Sequence, residues 1–248
     1  MFKGNREKTV RELFYSHTGS LVHKWDHYLD IYQRHFEKFQ GKDVVIVEFG
    51  ISDGGSLQLW RKFFGRKARI IGVDINPECK QLESKDTEIY IGDQEDKEFL
   101  RALVDRIGEV DIVIDDGGHT TKQQITTFEM LYPIVRGGGV YLVEDLHTNY
   151  WKEYGGGHLR SSTFVEKAKR LTDQLNAWYS REKKALKVDK FTKSTKSIHF
   201  YDSIIVFEKE AIKKPFHIKR GQEVLQSHTP YPSSTQGINP WDSKEAEG

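Results

Sequence analysis

The sequence has little of what staples, anchors or strongly charges a protein. One cysteine, Cys79, stands in 248 residues, which excludes an internal disulfide framework and a cysteine-built zinc site and fits a reducing compartment. Net charge is nearly absent, because 38 lysines and arginines offset 37 aspartates and glutamates. No global field therefore draws the chain to nucleic acid or to an anionic membrane. No apolar run reaches membrane-spanning length, and the opening MFKGNREKTV lacks the apolar stretch of a secretory signal. Together these absences lead us to expect a cytoplasmic protein that works on a small molecule.

What is present suffices for one core, with 37% hydrophobic residues over a length at the upper end for one domain. Leu21, Trp25, Tyr28, Leu29, Tyr32 and Phe36 recur at three- and four-residue steps, so the spacing predicts an amphipathic helix from Leu21 to Phe39. Then VVIVEFG, RIIGVD, EIYIGD, VDIVIDD and GGVYLVED read as strands, separated by helical stretches near Leu57 to Phe63, Asp96 to Ile107 and Thr121 to Ile134. Strands alternating with helices, each strand nearly all apolar, mean an α/β fold with a doubly wound, Rossmann-like, mostly parallel sheet. A charged helix is expected around Ser162 to Arg181, and SIHFYDSIIVFEK supplies two antiparallel strands joined by a turn at Asp202 and Ser203. This gives a helical segment over 1–43 packed on a main domain over 44–212, followed by a polar tail over 213–248.

The strands end in acid. Glu48, Asp74, Asp93, Asp115, Asp116, Glu144 and Asp145 fall at or near carboxyl ends, the edge where open α/β sheets bind ligands. After the first strand, EFGISDGGS offers Gly50, Gly54 and Ser56 in a glycine turn leading to a helix. Ser52 stands where a dinucleotide fingerprint needs its second glycine, so NAD is disfavoured. Glu48 repels phosphate but suits an ammonium group, and Asp74 is placed for ribose hydroxyls, which together favour S-adenosylmethionine. Asp93, with Gln94 beside it, either binds the adenine amino group or caps the following helix.

IDDGGH, from Ile114 to His119, is the densest signal. Gly117 and Gly118 permit a sharp turn, Thr120 or Thr121 with Gln123 or Gln124 completes a capping box, and His119 is held at the turn. Neighbouring strands lie about 4.8 Å apart, so Glu144 and Asp145 can converge with Asp116. Converging carboxylates need a cation between them, and oxygen ligands favour Mg²⁺, Mn²⁺ or Ca²⁺ over zinc. Such an ion lowers the pKa of a bound hydroxyl, and His119 is the candidate base for its proton.

VVIVEFGISDGGSLQLW, GVDINPECK, VIDDGGHTTKQQITTFEMLYPIVRGGGVYLVEDLHTNYW and IHFYDSIIVFEK together resemble the metal-dependent class I S-adenosylmethionine methyltransferases that act on sugar hydroxyls, the mycinamicin and macrocin type. The resemblance runs from about Val44 to Lys209 and implies a seven-stranded sheet with an antiparallel strand near its end. It also implies metal binding by Asp116, Glu144 and Asp145, His119 as base, and Glu48, Gly50, Asp74, Asp93 and Asp115 around the cofactor. Gly118 and Gln123 depart from the serine and second histidine common in relatives. The expected reaction is methylation of a hydroxyl in a sugar or other vicinal diol of a natural product or glycan precursor. Oxidative tailoring, methylation of a catechol-like phenol, and a non-catalytic adenosine-binding assembly protein remain open alternatives. Expected partners are the small-molecule substrate and a second copy of the chain, with the N-terminal helix and the tail as candidate surfaces for self-association.

Overall fold

The structure is a computed structural model of the chain and describes residues 7–222. Seven strands form one sheet: β1 (Val45–Phe49), β2 (Arg69–Asp74), β3 (Thr87–Ile91), β4 (Val110–Asp115), β5 (Val135–Val143), β6 (Thr195–Phe200) and β7 (Ile205–Lys209), in the order β3-β2-β1-β4-β5-β7-β6. β1 to β5 pair in parallel, while β7 runs antiparallel to both β5 and β6. The expected mostly parallel sheet with one reversed strand is therefore present.

Strand alternation sorts the core into two layers. Ile46, Ile70, Ile112, Ile114, Leu142 and Val206 face one side, and Val47, Ile71, Val113, Tyr141, Val143 and Phe207 the other. The first face is covered by α2 (Tyr28–Phe36) and α3 (Gly55–Phe64), the second by α4 (Lys97–Ile107), α5 (Thr121–Leu131) and α6 (Phe164–Leu175). On the first face Tyr32 and Phe36 interlock with Trp60, with ring centroids 5.3 and 5.7 Å apart. Burial of each such side chain contributes about 2 kcal/mol, which fixes α2 against α3.

Local signals set several boundaries. Thr120 and Gln123 form the capping box that starts α5. Asp96 caps α4 through the amides of Glu98 and Phe99, which settles the helix-capping alternative for Asp93: Asp93 instead accepts from Glu95 N, inside the turn. The charged helix is shorter than expected. α6 is capped by Thr163 and stops at Leu175, before the single turn Ala177–Tyr179.

The larger departure is at the amino end. A short helix, α1 (Val10–Tyr15), precedes residues 17–27, which are not helical, and α2 starts only at Tyr28. Leu21 and Trp25, counted in the apolar stripe, are 70% and 56% exposed. Their segment crosses the carboxyl edge of the sheet, and no residue from 17 to 27 is buried. We call it the strap.

The described residues up to Ile212 form one compact unit and those from Lys213 a second, in which residues 213–222 carry no helix or strand. The rest of the expected tail lies outside the described residues. Among the described residues no helix is long and apolar enough to cross a membrane.

Candidate active site

The chain runs outward from β1 to β3 and returns through β4, so the strand order reverses between β1 and β4, where open sheets leave a crevice. Here the crevice is a cavity of about 430 Å³ at the carboxyl edge, lined by the loops after β1, β2, β3 and β4 together with the strap. Gly50 is what lets the two central loops meet. Its φ is +80°, and a Cβ there would lie 2.0 Å from the carbonyl oxygen of Asp116. The strap passes as closely: a Cβ on Gly55 would lie 2.2 Å from the carbonyl oxygen of Leu21.

On the β1–β2 side, Asp74 lines the cavity and its carboxylate already accepts from the amides of Ile51, Ser52 and Asn76, which shapes the glycine turn. Gly54, in the left-handed conformation, precedes α3, and Ser56 Oγ donates to Glu48 Oε2 at 2.8 Å. Glu48 is fully buried beneath the loop, where Trp60 Nε1 also donates to it and where burial pushes its carboxyl up to about 7. It does meet an ammonium, but the chain's own, as described below. Asp93 and Gln94 line the third wall, although the Gln94 side-chain amide is turned inward to Asp115 Oδ1 (2.9 Å) and Thr127 Oγ1 (3.0 Å).

Asp115, expected at the cofactor, is not among the residues that line the cavity, although its partner Gln94 is. Its carboxyl is buried on the α5 side of the sheet between Gln94 and Tyr141, and that burial raises it to about 7. Adjacent residues of an extended strand point to opposite faces, so the Asp115 carboxylate is turned away from the cavity wall on which Asp116 lies.

On the β4–β5 side, Asp116, His119 and Asp145 present ligand atoms within 4.8 Å of one another. His119 (φ +59°) and Asp145 (φ +53°) both adopt left-handed backbone at their turns, and His119 Nε2 lies 3.5 Å from Asp145 Oδ2. His119 Nδ1 is buried and has no hydrogen-bond partner. Glu144 is set behind this group, fully buried: Tyr32 donates to its Oε1 at 2.7 Å and Lys24 Nζ to its Oε2 at 3.0 Å. Of the expected triad, Asp116 and Asp145 thus converge beside His119, while the Glu144 carboxylate is engaged by Tyr32 and Lys24.

Three partners of this cluster escaped the sequence reading. Tyr28 and Tyr32, four residues apart on one face of α2, donate to Asp145 and Glu144 respectively, each at 2.7 Å. From the strap, Lys24 donates to Asp116 and Glu144 and lies 3.8 Å from Glu48, with a side chain only 4% exposed. The tyrosine spacing was visible but was counted as apolar stripe. Burial opposes the charge of Lys24, yet Asp116, Glu144 and Glu48 outweigh it and raise the ammonium's pKa. One ammonium cannot neutralise three carboxylates, two of them fully buried, and the carboxyls of Glu48, Asp116 and Glu144 are all pushed up, by desolvation first.

The Asp116 and Asp145 carboxylates, converging beside the His119 imidazole, suit a hard divalent ion such as Mg²⁺ or Mn²⁺. Exposed Trp25 and Trp151 flank His147, with ring centroids 6.0 and 4.9 Å from its imidazole. Ser203, in the β6–β7 turn, meets His147 Nδ1 at 2.6 Å and accepts from Leu146 N through its backbone oxygen. A second ligand-type group, His35, His199 and Glu208, lies on the α2–sheet contact and is closed by its own hydrogen bonds: His35 pairs with Glu208 (2.9 Å) and Tyr201 (2.8 Å), and His199 with Ser197 (2.9 Å).

No family profile matches the sequence. The chain is 34% identical over 192 residues to the 8-demethyl-8-alpha-L-rhamnosyl tetracenomycin-C 2'-O-methyltransferase of Streptomyces olivaceus, covering 74% of this chain and 50% of that protein. It is 41% identical over 132 residues to the mycinamicin VI 2''-O-methyltransferase of Micromonospora griseorubida, over 50% of this chain and 33% of that one. Among solved structures, the MycE methyltransferase from the mycinamycin biosynthetic pathway, in complex with Mg, SAH and mycinamycin VI, superposes with a TM-score of 0.73 at 29% identity, over 84% of this chain and 55% of that one. The chain thus spans about half the length, or less, of the curated relatives it matches.

Proposed function

Over the stretch it shares with these enzymes, the chain belongs to the class I S-adenosylmethionine methyltransferase family, and on that premise we propose that it is a Mg²⁺-dependent O-methyltransferase. The methyl group passes from S-adenosylmethionine to a hydroxyl of a sugar, or other vicinal diol, in a natural product or glycan precursor. The observation that carries the reading is continuity: Gly50, Asp74 and Asp93 line the same cavity as Asp116, His119 and Asp145. Cofactor and acceptor can therefore meet without a domain movement.

Asp116 and Asp145 would hold the ion, with Glu144 as the reserve ligand behind them. A bound divalent ion supplies Lewis acidity toward an acceptor hydroxyl. The chain's own residues do the rest. His119 Nε2, the imidazole nitrogen left accessible while Nδ1 is buried, takes the hydroxyl proton, and Asp145 Oδ2 at 3.5 Å stabilises the imidazolium that forms. Asp74 and the left-handed turn at Gly50 fix the loop on which the cofactor lies. Orientation of oxygen, methyl carbon and sulfur is the main demand of displacement at a methyl group, and a loop this constrained meets it. The tryptophans beside His147 offer flat apolar faces to a sugar ring. A vicinal diol suits the site because one oxygen can anchor while its neighbour reacts. A single buried cysteine accords with work in the reducing cytoplasm.

The test is methyl release from S-adenosylmethionine with a panel of rhamnosylated and related acceptors, run with Mg²⁺, with chelator, and with Asp116→Asn. Metal-dependent transfer to a sugar hydroxyl, lost in the variant, is the expected result. Turnover of catechols instead would move the acceptor class to phenols, and no transfer to any acceptor with S-adenosylhomocysteine bound would favour a non-catalytic role.

A further inference from the structure

Lys24 is the feature the proposed reaction does not use. Its ammonium lies deep in the acidic cluster, bonded to Asp116 and Glu144 and near Glu48, and it is delivered there by the strap rather than by the sheet. We propose that Lys24 is the resident counter-ion of the metal site: it holds the cation's place while the strap is closed, and a divalent ion must displace it, so that metal entry and strap release are one event. The inference rests on the metal reading above and adds the control of that site.

The first ground is shared ligands. Asp116 belongs both to the Lys24 ion pair and to the cluster with His119 and Asp145 that suits a metal, and Glu144 gives one oxygen to Lys24 and the other to Tyr32. A Mg²⁺ ion binds oxygens at about 2.1 Å, so an ion on Asp116 adds two positive charges beside an ammonium already bonded to that carboxylate. Lys24 and Glu144 are buried, 4% and 1% exposed at the side chain, so on that side of the site water screens the repulsion less than it does at the surface. Removal of the ammonium also frees the Glu144 oxygen it holds, which restores the ligand that the strands' ends place beside Asp145.

The second ground is how little else holds the strap. None of residues 17–27 is buried as a whole residue, and Leu21 and Trp25 face solvent, so no apolar anchor docks the segment. Its ties to other elements include the Ser20–Gln58 pair, His17 with Lys62, His27 to the carbonyl of Asp202, Asp26 to Arg11 and Tyr15 of α1, and the edge contact of exposed Trp25 with His147, all at positions where such contacts contribute little. The contact that reaches the interior is Lys24. Because Leu21, Val22 and His23 wall the cofactor cavity beside it, loss of that contact loosens a wall of the cavity as well.

The experiment uses the full, metal-stripped chain. Mn²⁺ binding, followed by the electron paramagnetic resonance of the free ion, is compared between wild type and Lys24→Met. Amide hydrogen exchange across residues 17–27 of the wild type is read by mass spectrometry with and without saturating Mg²⁺. Expected are at least tenfold tighter Mn²⁺ binding in the variant, and faster exchange of the wild-type strap once metal is bound. Wild-type protein that binds the ion with strap exchange unchanged or slowed overturns the proposal, whether or not the variant folds. So does a folded variant that binds Mn²⁺ no more tightly than wild type. Absence of binding in both proteins removes the metal reading itself, and the proposal with it, which keeps the two failures distinct.

Discussion

The two halves of the cavity are built on different principles. The β1–β2 half is made of backbone: a left-handed glycine at 50, amides of Ile51 and Ser52 gathered by Asp74, and a helix that begins at Gly55. The β4–β5 half is made of charge, with Asp116, Glu144 and Asp145 held in place by Lys24, Tyr32 and Tyr28 from the amino end of the chain. A shape built from local backbone, with Asp74 the one carboxylate that gathers its amides, depends little on other charges but is intolerant of a single added carbon. A cluster of buried charges tolerates changes of shape and depends on every counter-charge.

The largest expected break falls in the charged half. His119→Gln should lower kcat for methyl transfer by about 10²–10⁴ while leaving Mn²⁺ affinity within a few-fold, as loss of a general base does. Loss of metal binding in that variant, read by the same titration, would make His119 a ligand instead of the base. In the backbone half, Gly50→Ala should cost about 3 kcal/mol of stability, because the new Cβ meets the Asp116 carbonyl and the positive φ is strained for alanine. Urea unfolding measures that cost. Calorimetry should show S-adenosylhomocysteine binding lost in the same variant, even under conditions where it stays folded.

Glu48 sharpens the comparison, since it lies under the backbone half but belongs electrostatically to the other. Burial raises its carboxyl from an ordinary 4.5 to about 7 in the folded chain, so between those values the native state holds more protons than the unfolded one. Stability of the metal-free protein must then fall as pH rises through that window. Glu48→Gln removes this contribution, and the stability difference between about pH 5 and pH 8 should shrink by about 2–3 kcal/mol, again by urea unfolding. An unchanged difference would mean that Glu48 is ionised throughout and that Lys24 neutralises it fully.

The same contrast decides what was legible in the sequence. VVIVEFG, the acidic strand ends, the Thr120 to Gln123 box and the hairpin around Ser203 declare themselves locally, because strand, turn and cap signals are properties of neighbouring residues. The charged half depends on partners 92 and 120 residues away, the separations of Lys24 from Asp116 and Glu144, and periodicity carries no information at that range. The stripe from Leu21 to Phe36 misled for a related reason: hydrophobic spacing continues through the strap, but the segment is needed across the cavity and gives up helix for that position. Asp115 and Asp116 looked alike as a pair and are separated by the pleat, which places a neighbour on each side of the sheet.

Ser203 ties the β6–β7 turn to the loop that follows Asp145, through His147 Nδ1 and Leu146 N. The late hairpin therefore braces the loop that follows Asp145, a residue of the cavity wall, although 56 positions separate Ser203 from His147. A substitution in the hairpin can therefore shift that loop without altering any residue of the cavity wall. A library that varies Ser203 and His147 together should yield combinations that neither single-site library contains.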